Sequence, residues 1–252
     1  MTENFNLYAQ YYDLLYQDKN YSEEVAYIDK LLTEFSSIKI ESILDLGCGT
    51  GKHDFLLSKK GYTLTGVDLS SEMIDIANSM KMQKVTFVKG DVRKVKLKRT
   101  FDAVISLFHV ASYQTENIDF ENYLQTAFNH LNVGGLFIFD FWYGPGVISD
   151  KPTIRQKELE SETLKITRIS KPNLFPNNNM VDVNFEVQIE NKIDSSTSNI
   201  SEKHSMRYLF LPEIVNFAQR IGFSLLDSYE WMTNKELDFE SWNGVVVLKK
   251  TK

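Results

Sequence analysis

Residues Leu44-Asp45-Leu46-Gly47-Cys48-Gly49-Thr50-Gly51 constrain the fold more than any other stretch of the chain. A short apolar run, Ser42 to Leu46, leads into three alternating glycines, and Phe55, Leu56 and Leu57 follow in a helix. A strand that enters a helix through a turn this bare is the opening unit of an open α/β sheet, where ligands bind beyond the carboxyl ends of the strands. Gly47 allows the tight turn, Gly49 lets backbone approach a ligand, and Gly51 lets the helix start close to the sheet. Cys48 lies inside the turn with no supporting base nearby in sequence, so it reads as a structural small residue.

The same alternation of strand and helix continues. Lys59-Lys60-Gly61 closes the first helix with a cationic last turn and a C-cap glycine. Thr63 to Val67 is a second strand, Ser70 N-caps a helix holding Met73, Ile74, Ile76 and Ala77, and Val85 to Val88 and Phe101 to Leu107 are the third and fourth strands. Phe120 to Leu131 is helical and Leu136 to Phe141 is the fifth strand. This order predicts a parallel sheet covered on both faces. After Asp150 the pattern changes to alternating strands, Thr163 to Ile169, Met180 to Glu190 and His204 to Phe210. Pro172, Pro176 and Asn177-Asn178-Asn179 are expected to break the first pair. Pro212 then opens a helix through Ile221, and Ser224 to Trp231 and Gly244 to Leu248 are the closing strands. The chain reads as one domain over residues 1–252, with an N-terminal helical lid over 1–40 and an antiparallel β insertion over 150–210 that caps the active site.

Composition narrows the partners. A net charge of -6 disfavours a phosphate backbone, so nucleic acid is not expected. No apolar run reaches the roughly 20 residues of a membrane helix, and the start Met1-Thr2-Glu3-Asn4-Phe5 lacks a secretory pattern. The one cysteine excludes an internal disulfide framework and fits a cytoplasmic location. His53, His109, His130 and His204 are scattered, with no metal-binding spacing, so no metal is expected. The basic run Arg93 to Arg99 reads as a solvated surface. The expected partner is a small-molecule substrate, and a homodimer is compatible with the sequence.

Two further strand ends carry acidic residues. Gly66-Val67-Asp68-Leu69-Ser70 offers a carboxylate whose two oxygens can accept both hydroxyls of a ribose. Gly90-Asp91-Val92 offers an acceptor for an adenine amino group. A nicotinamide-dependent oxidoreductase is the competing reading, but its fingerprint is G-x-G-x-x-G; here the third glycine comes one position early and Gly90-Asp91 has no role.

The set Ile43 to Gly51, Val67-Asp68-Leu69-Ser70 with Met73, and Gly90-Asp91-Val92 resembles the class I S-adenosylmethionine-dependent methyltransferases. The resemblance implies a Rossmann-like, seven-stranded, mostly parallel sheet with helices on both faces and an antiparallel last strand. It implies S-adenosyl-L-methionine as cofactor, held by Asp45, Gly47, Cys48 and Gly49, by Asp68, Leu69 and Met73, and by Gly90, Asp91, Val92 and Leu107. Tyr11-Tyr12-Asp13-Leu14-Leu15-Tyr16 with Asn20-Tyr21 narrows the resemblance to N,N-dimethyltransferases acting on nucleotide-linked amino sugars. Phe101-Asp102-Ala103-Val104 through Phe108 and Tyr113, Asp140 to Tyr143, and Glu202 to Tyr208 agree with that group. The alternative is O-methylation of another small metabolite or surface-polysaccharide precursor.

In-line methyl transfer needs positioning above all, and an alcohol acceptor also needs a base. His109, just after the fourth strand, is the expected proton acceptor or acceptor-positioning group, where the resembling enzymes carry small residues. Tyr12, the second catalytic candidate, and Tyr21 are expected to bond the cofactor carboxylate or cover the cleft. Tyr113, Trp142, Tyr143, His204 and Arg207 are the candidate substrate-binding residues. Trp142 and Tyr143 can stack on a base or sugar or pack in the core. Arg207 can pair with a diphosphate or lie on a solvated face.

Overall fold

The computed structural model describes Leu15 and residues 19–251. Two compact units emerge, one of Lys151–Met206 with the described residues up to Asn20, the other of Tyr21–Asp150 with Arg207–Lys252. Among the described residues no helix is long and apolar enough to cross a membrane.

The larger unit is built on a seven-stranded sheet. Its elements are α1 (Tyr21–Phe35), β1 (Ser42–Leu46), α2 (Lys52–Lys59), β2 (Thr63–Asp68), α3 (Ser71–Ser79), β3 (Val85–Lys89), β4 (Phe101–Ser106), α4 (Asn117–His130), β5 (Leu131–Trp142) and α5 (Gly144–Ser149). After the smaller unit come α6 (Leu211–Ile221), β10 (Phe223–Glu230) and β11 (Asn243–Lys250). The strand order is β10-β11-β5-β4-β1-β2-β3. β1 pairs in parallel with β2 and β4, and β11 runs antiparallel to both neighbours. The order reverses between β1 and β4, which makes their carboxyl ends a topological switch point.

Both faces are covered, so the strands are apolar on both sides. On one face Ile43, Ile105, Leu136, Ile138 and Val247 pack with Ile28 and Leu31 of α1 and Leu57 of α2. On the other, Leu44, Val104, Phe137, Phe139 and Val246 pack with Tyr123 of α4 and Phe217 of α6. Of the segment read as a lid, the described part includes α1, which buries Val25, Ile28, Leu31 and Leu32 in this core. The helix expected over Leu7 to Leu15 lies outside the described residues except for Leu15.

Local signals set the helix ends. Ser70 Oγ accepts the Met73 N–H at 3.2 Å, as its capping position predicts. Gly222, at φ 117°, ends α6 in the left-handed region where a side chain is strained.

The smaller unit is a four-stranded antiparallel sheet of β6 (Arg155–Glu160), β7 (Leu164–Phe175), β8 (Met180–Asn191) and β9 (Thr197–Arg207). Three details differ from the sequence reading. The strand expected over His204 to Phe210 is β9, which starts at Thr197 inside the polar run Asp194 to Ser201 expected to break the second pair. Arg155–Glu160 is a strand, although its mostly charged residues carry no apolar alternation; only Leu159 is buried. Pro172 does not break the hairpin but lies inside β7, opposite Val183. β6 pairs no further than Ser170. From Lys171 onward β7 is therefore an edge strand, where a residue without an N–H is tolerated. The turn is made by Pro176–Asn178 and by Asn179 at φ 54°.

Candidate active site

The glycine turn is folded back onto β2. Gly47 and Cys48 both donate to the Val67 carbonyl, at 2.7 and 3.0 Å, and Gly49 N–H donates to Asp68 Oδ2 at 2.9 Å. Asp68 Oδ1 accepts the Ser70 N–H at 2.9 Å, and the Asp68 carbonyl accepts from Gly90 N–H at 2.8 Å. Three consecutive parallel strands thus bring Gly49, Asp68 and Gly90-Asp91 to one crevice. Gly47 has φ 96°, and a Cβ built there would lie 2.4 Å from Val110 Cγ2. A side chain at this position is excluded twice over, by conformation and by the segment after β4.

Leu69 follows Asp68 with an exposed side chain, an apolar surface at the crevice edge. Met73 and Val92 are half-buried and Leu107 is buried. Asp91 differs from its simple reading as an open acceptor. Arg93 Nε and Nη2 donate to its two oxygens at 2.9 and 2.8 Å, and the Arg93 N–H adds a third bond. That guanidinium holds the Asp91 carboxyl below its ordinary range and reaches Asp119 at 3.1 Å. Arg93 is therefore pinned, although it belongs to the basic run read as solvated.

Beneath the turn lies a carboxyl pair whose second member the sequence reading missed. Asp45 of β1 and Asp54 of α2 are both buried and near enough to shift each other's titration. Burial raises both above the ordinary carboxyl range, Asp54 to about 7, and for Asp45 the negative charges of Asp54 and Asp68 add to it. If both were ionised, Asp45 Oδ1 and both Asp54 oxygens would be buried without a donor. One proton shared by the pair removes that conflict. Burial also pushes the Cys48 thiol up, with Asp54, Asp45 and Asp68 adding to the effect, so this cysteine is no nucleophile.

Across the switch point stands His109. Its Nδ1 lies 2.7 Å from Asp140 Oδ2, and its backbone N–H lies 3.1 Å from both Asp140 oxygens. Phe108 and His109 are consecutive left-handed residues, at φ 68° and 64°, a turn that non-glycine residues seldom adopt. The His109 ring stacks on Phe108 at 5.6 Å and lies 6.3 Å from Trp142. Trp142 is fixed by its N–H to Ser112 Oγ at 3.0 Å and by edge packing on Trp242 at 4.9 Å. Tyr113 is exposed, and Tyr143 is half-buried and edge-on to Phe141. A lone carboxylate inside the apolar run Leu136–Phe141 was the available signal for Asp140. Asp54 had none beyond its place three residues after Gly51.

Other candidates are placed elsewhere. Tyr12 lies outside the described residues. Tyr21 begins α1 with its ring 5.0 Å from His53, whose Nε2 sits 2.6 Å from Glu24 Oε2. His204 belongs to the smaller unit, edge-on to Phe185 at 5.2 Å. Arg207 is neither a solvated residue nor open to a diphosphate. It is 5% exposed, and its guanidinium pairs with Glu213 and donates to Asn117 Oδ1 at 2.7 Å. An arginine on an alternating strand looked available; the helix that supplies Glu213 takes it up. Among the described residues no group of acidic, histidine or cysteine side chains could hold a metal ion.

Residues 43–135 match a family model described as a methyltransferase domain. The chain is 30% identical over 145 residues to the dTDP-3-amino-3,4,6-trideoxy-alpha-D-glucopyranose N,N-dimethyltransferase of Streptomyces venezuelae, covering 57% of this chain and 60% of that one. Across the first curated relatives it matches, the chain spans between 53% and 60% of their length. An S-adenosylmethionine-dependent methyltransferase from Clostridium acetobutylicum superposes with a TM-score of 0.83 at 21% identity, covering 98% of this chain and 99% of that one. A sugar N-methyltransferase from Streptoalloteichus superposes with a TM-score of 0.81 at 20% identity, covering 96% and 93%. At that identity the likeness establishes the fold, a Rossmann-like sheet with one antiparallel strand.

Proposed function

We propose that this chain, whose residues 43–135 are a methyltransferase domain on an S-adenosylmethionine-dependent methyltransferase fold, transfers a methyl group from S-adenosyl-L-methionine to the amine of a nucleotide-linked amino sugar. The observation that carries the cofactor reading is the Gly49–Asp68 bond, which joins the bare turn and the acidic strand end into one crevice. The crevice suits the cofactor. Each Asp68 oxygen has accepted one N–H, and a carboxylate oxygen has room for a second bond, so two ribose hydroxyls can be held. Leu69 offers an apolar edge to an adenine ring, and Gly90-Asp91-Val92 lines the same end. The buried Asp45–Asp54 pair below the turn, sharing one proton, leaves a single negative charge beneath the cationic end of the ligand.

When bound, the cofactor supplies a methyl group already activated on a sulfonium. This chain then has to hold the acceptor in line, exclude water and take up a proton. Trp142 and Tyr143 are placed to wall the acceptor, and His109 is the proton acceptor. The acceptor class rests on the names of relatives such as that from Streptomyces venezuelae and on the resemblance of the N-terminal tyrosines. O-methylation is the second reading, favoured by one observation: a carboxylate-backed histidine suits an alcohol, which must lose its proton. The reaction belongs in the cytoplasm on this reading, consistent with a single, buried cysteine.

Titration calorimetry tests the cofactor: S-adenosylmethionine should bind and NADH should not. Asp68→Ala should weaken that binding by about 1–3 kcal/mol, because it leaves ribose hydroxyls and the Gly49 N–H without their acceptor. Preference for NADH, or an unchanged affinity in the variant, would overturn the assignment. Mass spectrometry of nucleotide sugars incubated with enzyme and cofactor should show a gain of one or two methylene masses on nitrogen; methylation on oxygen selects the second reading.

A further inference from the structure

Asp140 is a buried carboxylate in an otherwise apolar stretch of β5. β5 alternates cleanly, with Phe137, Phe139 and Phe141 on one face and Leu136 and Ile138 on the other. Asp140 occupies the next position of the second series, where an apolar residue would pack, and it is 1% exposed. Burying a carboxylate there is costly unless it is paired. Its oxygens face His109: both accept the backbone N–H, and Nδ1 lies 2.7 Å from Oδ2, at ion-pair distance but not yet aligned for a hydrogen bond. Those contacts hold two successive left-handed residues, Phe108 and His109, whose backbone conformation costs free energy that the surroundings must offset.

The strained turn has a clear geometric result. Ser106, at the end of β4, bonds the Leu46 carbonyl at 2.5 Å, and Val110 abuts Gly47. His109 is therefore projected beside the glycine turn, against Trp142, with its side chain about one-fifth exposed. With Nδ1 turned to Asp140, Nε2 is the remaining base of the ring. Among the described residues, Tyr123 of α4 lies within electrostatic reach of both Asp140 and Asp45 of β1.

We infer that Asp140 is the positioning residue of a carboxylate–imidazole pair in which His109 strips the proton from an amine that arrives as an ammonium ion. This deepens the proposed function and rests on its methyl-transfer reading. The ammonium proton passes to His109 Nε2, leaving the nitrogen lone pair free. The nitrogen–carbon bond forms as the carbon–sulfur bond breaks, and that bond's electron pair stays on sulfur. His109 returns its proton to water, and the product leaves as the N-methylammonium ion. The buried Asp140 carboxylate stabilises the imidazolium while it lasts and fixes the tautomer with hydrogen on Nδ1.

Three measurements on the full chain separate this claim from the broader reading. Long-range nitrogen–proton NMR reads the His109 tautomer with no ligand present. The expected result is Nδ1–H with a deshielded proton that Asp140→Asn abolishes; an Nε2–H tautomer in the unaltered protein overturns the pair. Calorimetry with S-adenosylmethionine should give Asp140→Asn the parent affinity within about threefold, whereas loss of binding in the parent itself would overturn the methyl-transfer reading instead. S-adenosylhomocysteine formation from dTDP-3-amino-3,4,6-trideoxy-alpha-D-glucopyranose, the relative's acceptor, reads turnover. Asp140→Asn and His109→Gln should each lower kcat by roughly 10–100-fold at neutral pH with KM little changed. The deficit should shrink as pH rises and the free amine accumulates. A deficit equal at every pH, or one confined to KM, leaves His109 a structural residue and sinks the proposal. No turnover of this amine by the parent enzyme sinks the amine class, with the pair then judged by the tautomer alone.

Discussion

Gly146→Ala is expected to lower stability by roughly 2–4 kcal/mol. A Cβ at Gly146 would lie 2.0 Å from the Ser241 carbonyl oxygen, 2.6 Å from its carbon and 3.1 Å from Trp242 Cα. All three are backbone atoms, so no rotamer change relieves the overlap. The clash must be met by moving α5 or the segment that enters β11, and both are tied down. Tyr143 N–H donates to the Trp242 carbonyl at 3.0 Å, and Gly144 N–H donates to the Leu209 carbonyl at 2.9 Å. Trp242 Nε1 donates to the Asp150 carbonyl at 2.9 Å. Moving either element loosens the Trp142–Trp242 contact that walls His109. For a chain of this size the loss corresponds to a fall in Tm of roughly 5–15 °C. Scanning calorimetry measures it, and near-ultraviolet circular dichroism reads the tryptophan pair. A variant melting within a degree or two of the parent would mean the backbone yields more easily than its hydrogen bonds allow. Gly61→Ala is the contrast: its Cβ meets nothing within 4 Å, so only its φ of 108° is strained.

Gly146 also marks where sequence reasoning stopped. Features governed by neighbours in the chain were legible. The turn at Gly47 to Gly51, the Ser70 cap, the left-handed Gly222 and the seven-strand pattern all follow from rules a few residues wide. Features governed by residues far apart were not. Gly146 has an unremarkable neighbourhood until β11 passes it. Arg207 looked like a ligand-binding cation because Glu213 and Asn117 close on it only in the folded unit. Pro172 looked like a breaker because nothing local reveals that β6 stops short of it. The candidate site divides along the same line. The end proposed to hold the cofactor lies on three strand termini with recognisable motifs, while the Asp140 and Asp54 carboxylates gain meaning only from His109 and Asp45 across the sheet.

The Asp45–Asp54 pair should make the parent protein lose stability as pH rises from about 4 to about 7, and Asp54→Asn should remove that slope. Burial raises the Asp54 carboxyl from an ordinary 3.8 to about 7, and Asp45 moves in the same direction. Below about pH 4 the folded and unfolded chains both keep these protons, so the pair exerts no pH-dependent effect there. Above it the unfolded chain releases them while the folded chain still holds one, and stability falls by about 1.4 kcal/mol per pH unit for each retained proton. The fall ends once the folded pair also ionises or unfolds. Asn is close in shape to a protonated Asp and keeps a donor toward Asp45 at every pH. Asp45 can then stay ionised, with the single net charge the shared proton would have left. At pH 5 the variant should lie within about 1 kcal/mol of the parent, the scale of one imperfect buried hydrogen bond. By pH 8 it should be the more stable protein, by on the order of 3 kcal/mol. Asp91 and Asp102, whose carboxyls are held low by hydrogen bonds, lose their contribution only as pH falls below about 4, outside this window. Urea denaturation of both proteins from pH 5 to pH 8 gives the two curves. Curves that run parallel across that range would mean the two acids share no proton, and that the charge beneath the glycine turn is set by something else.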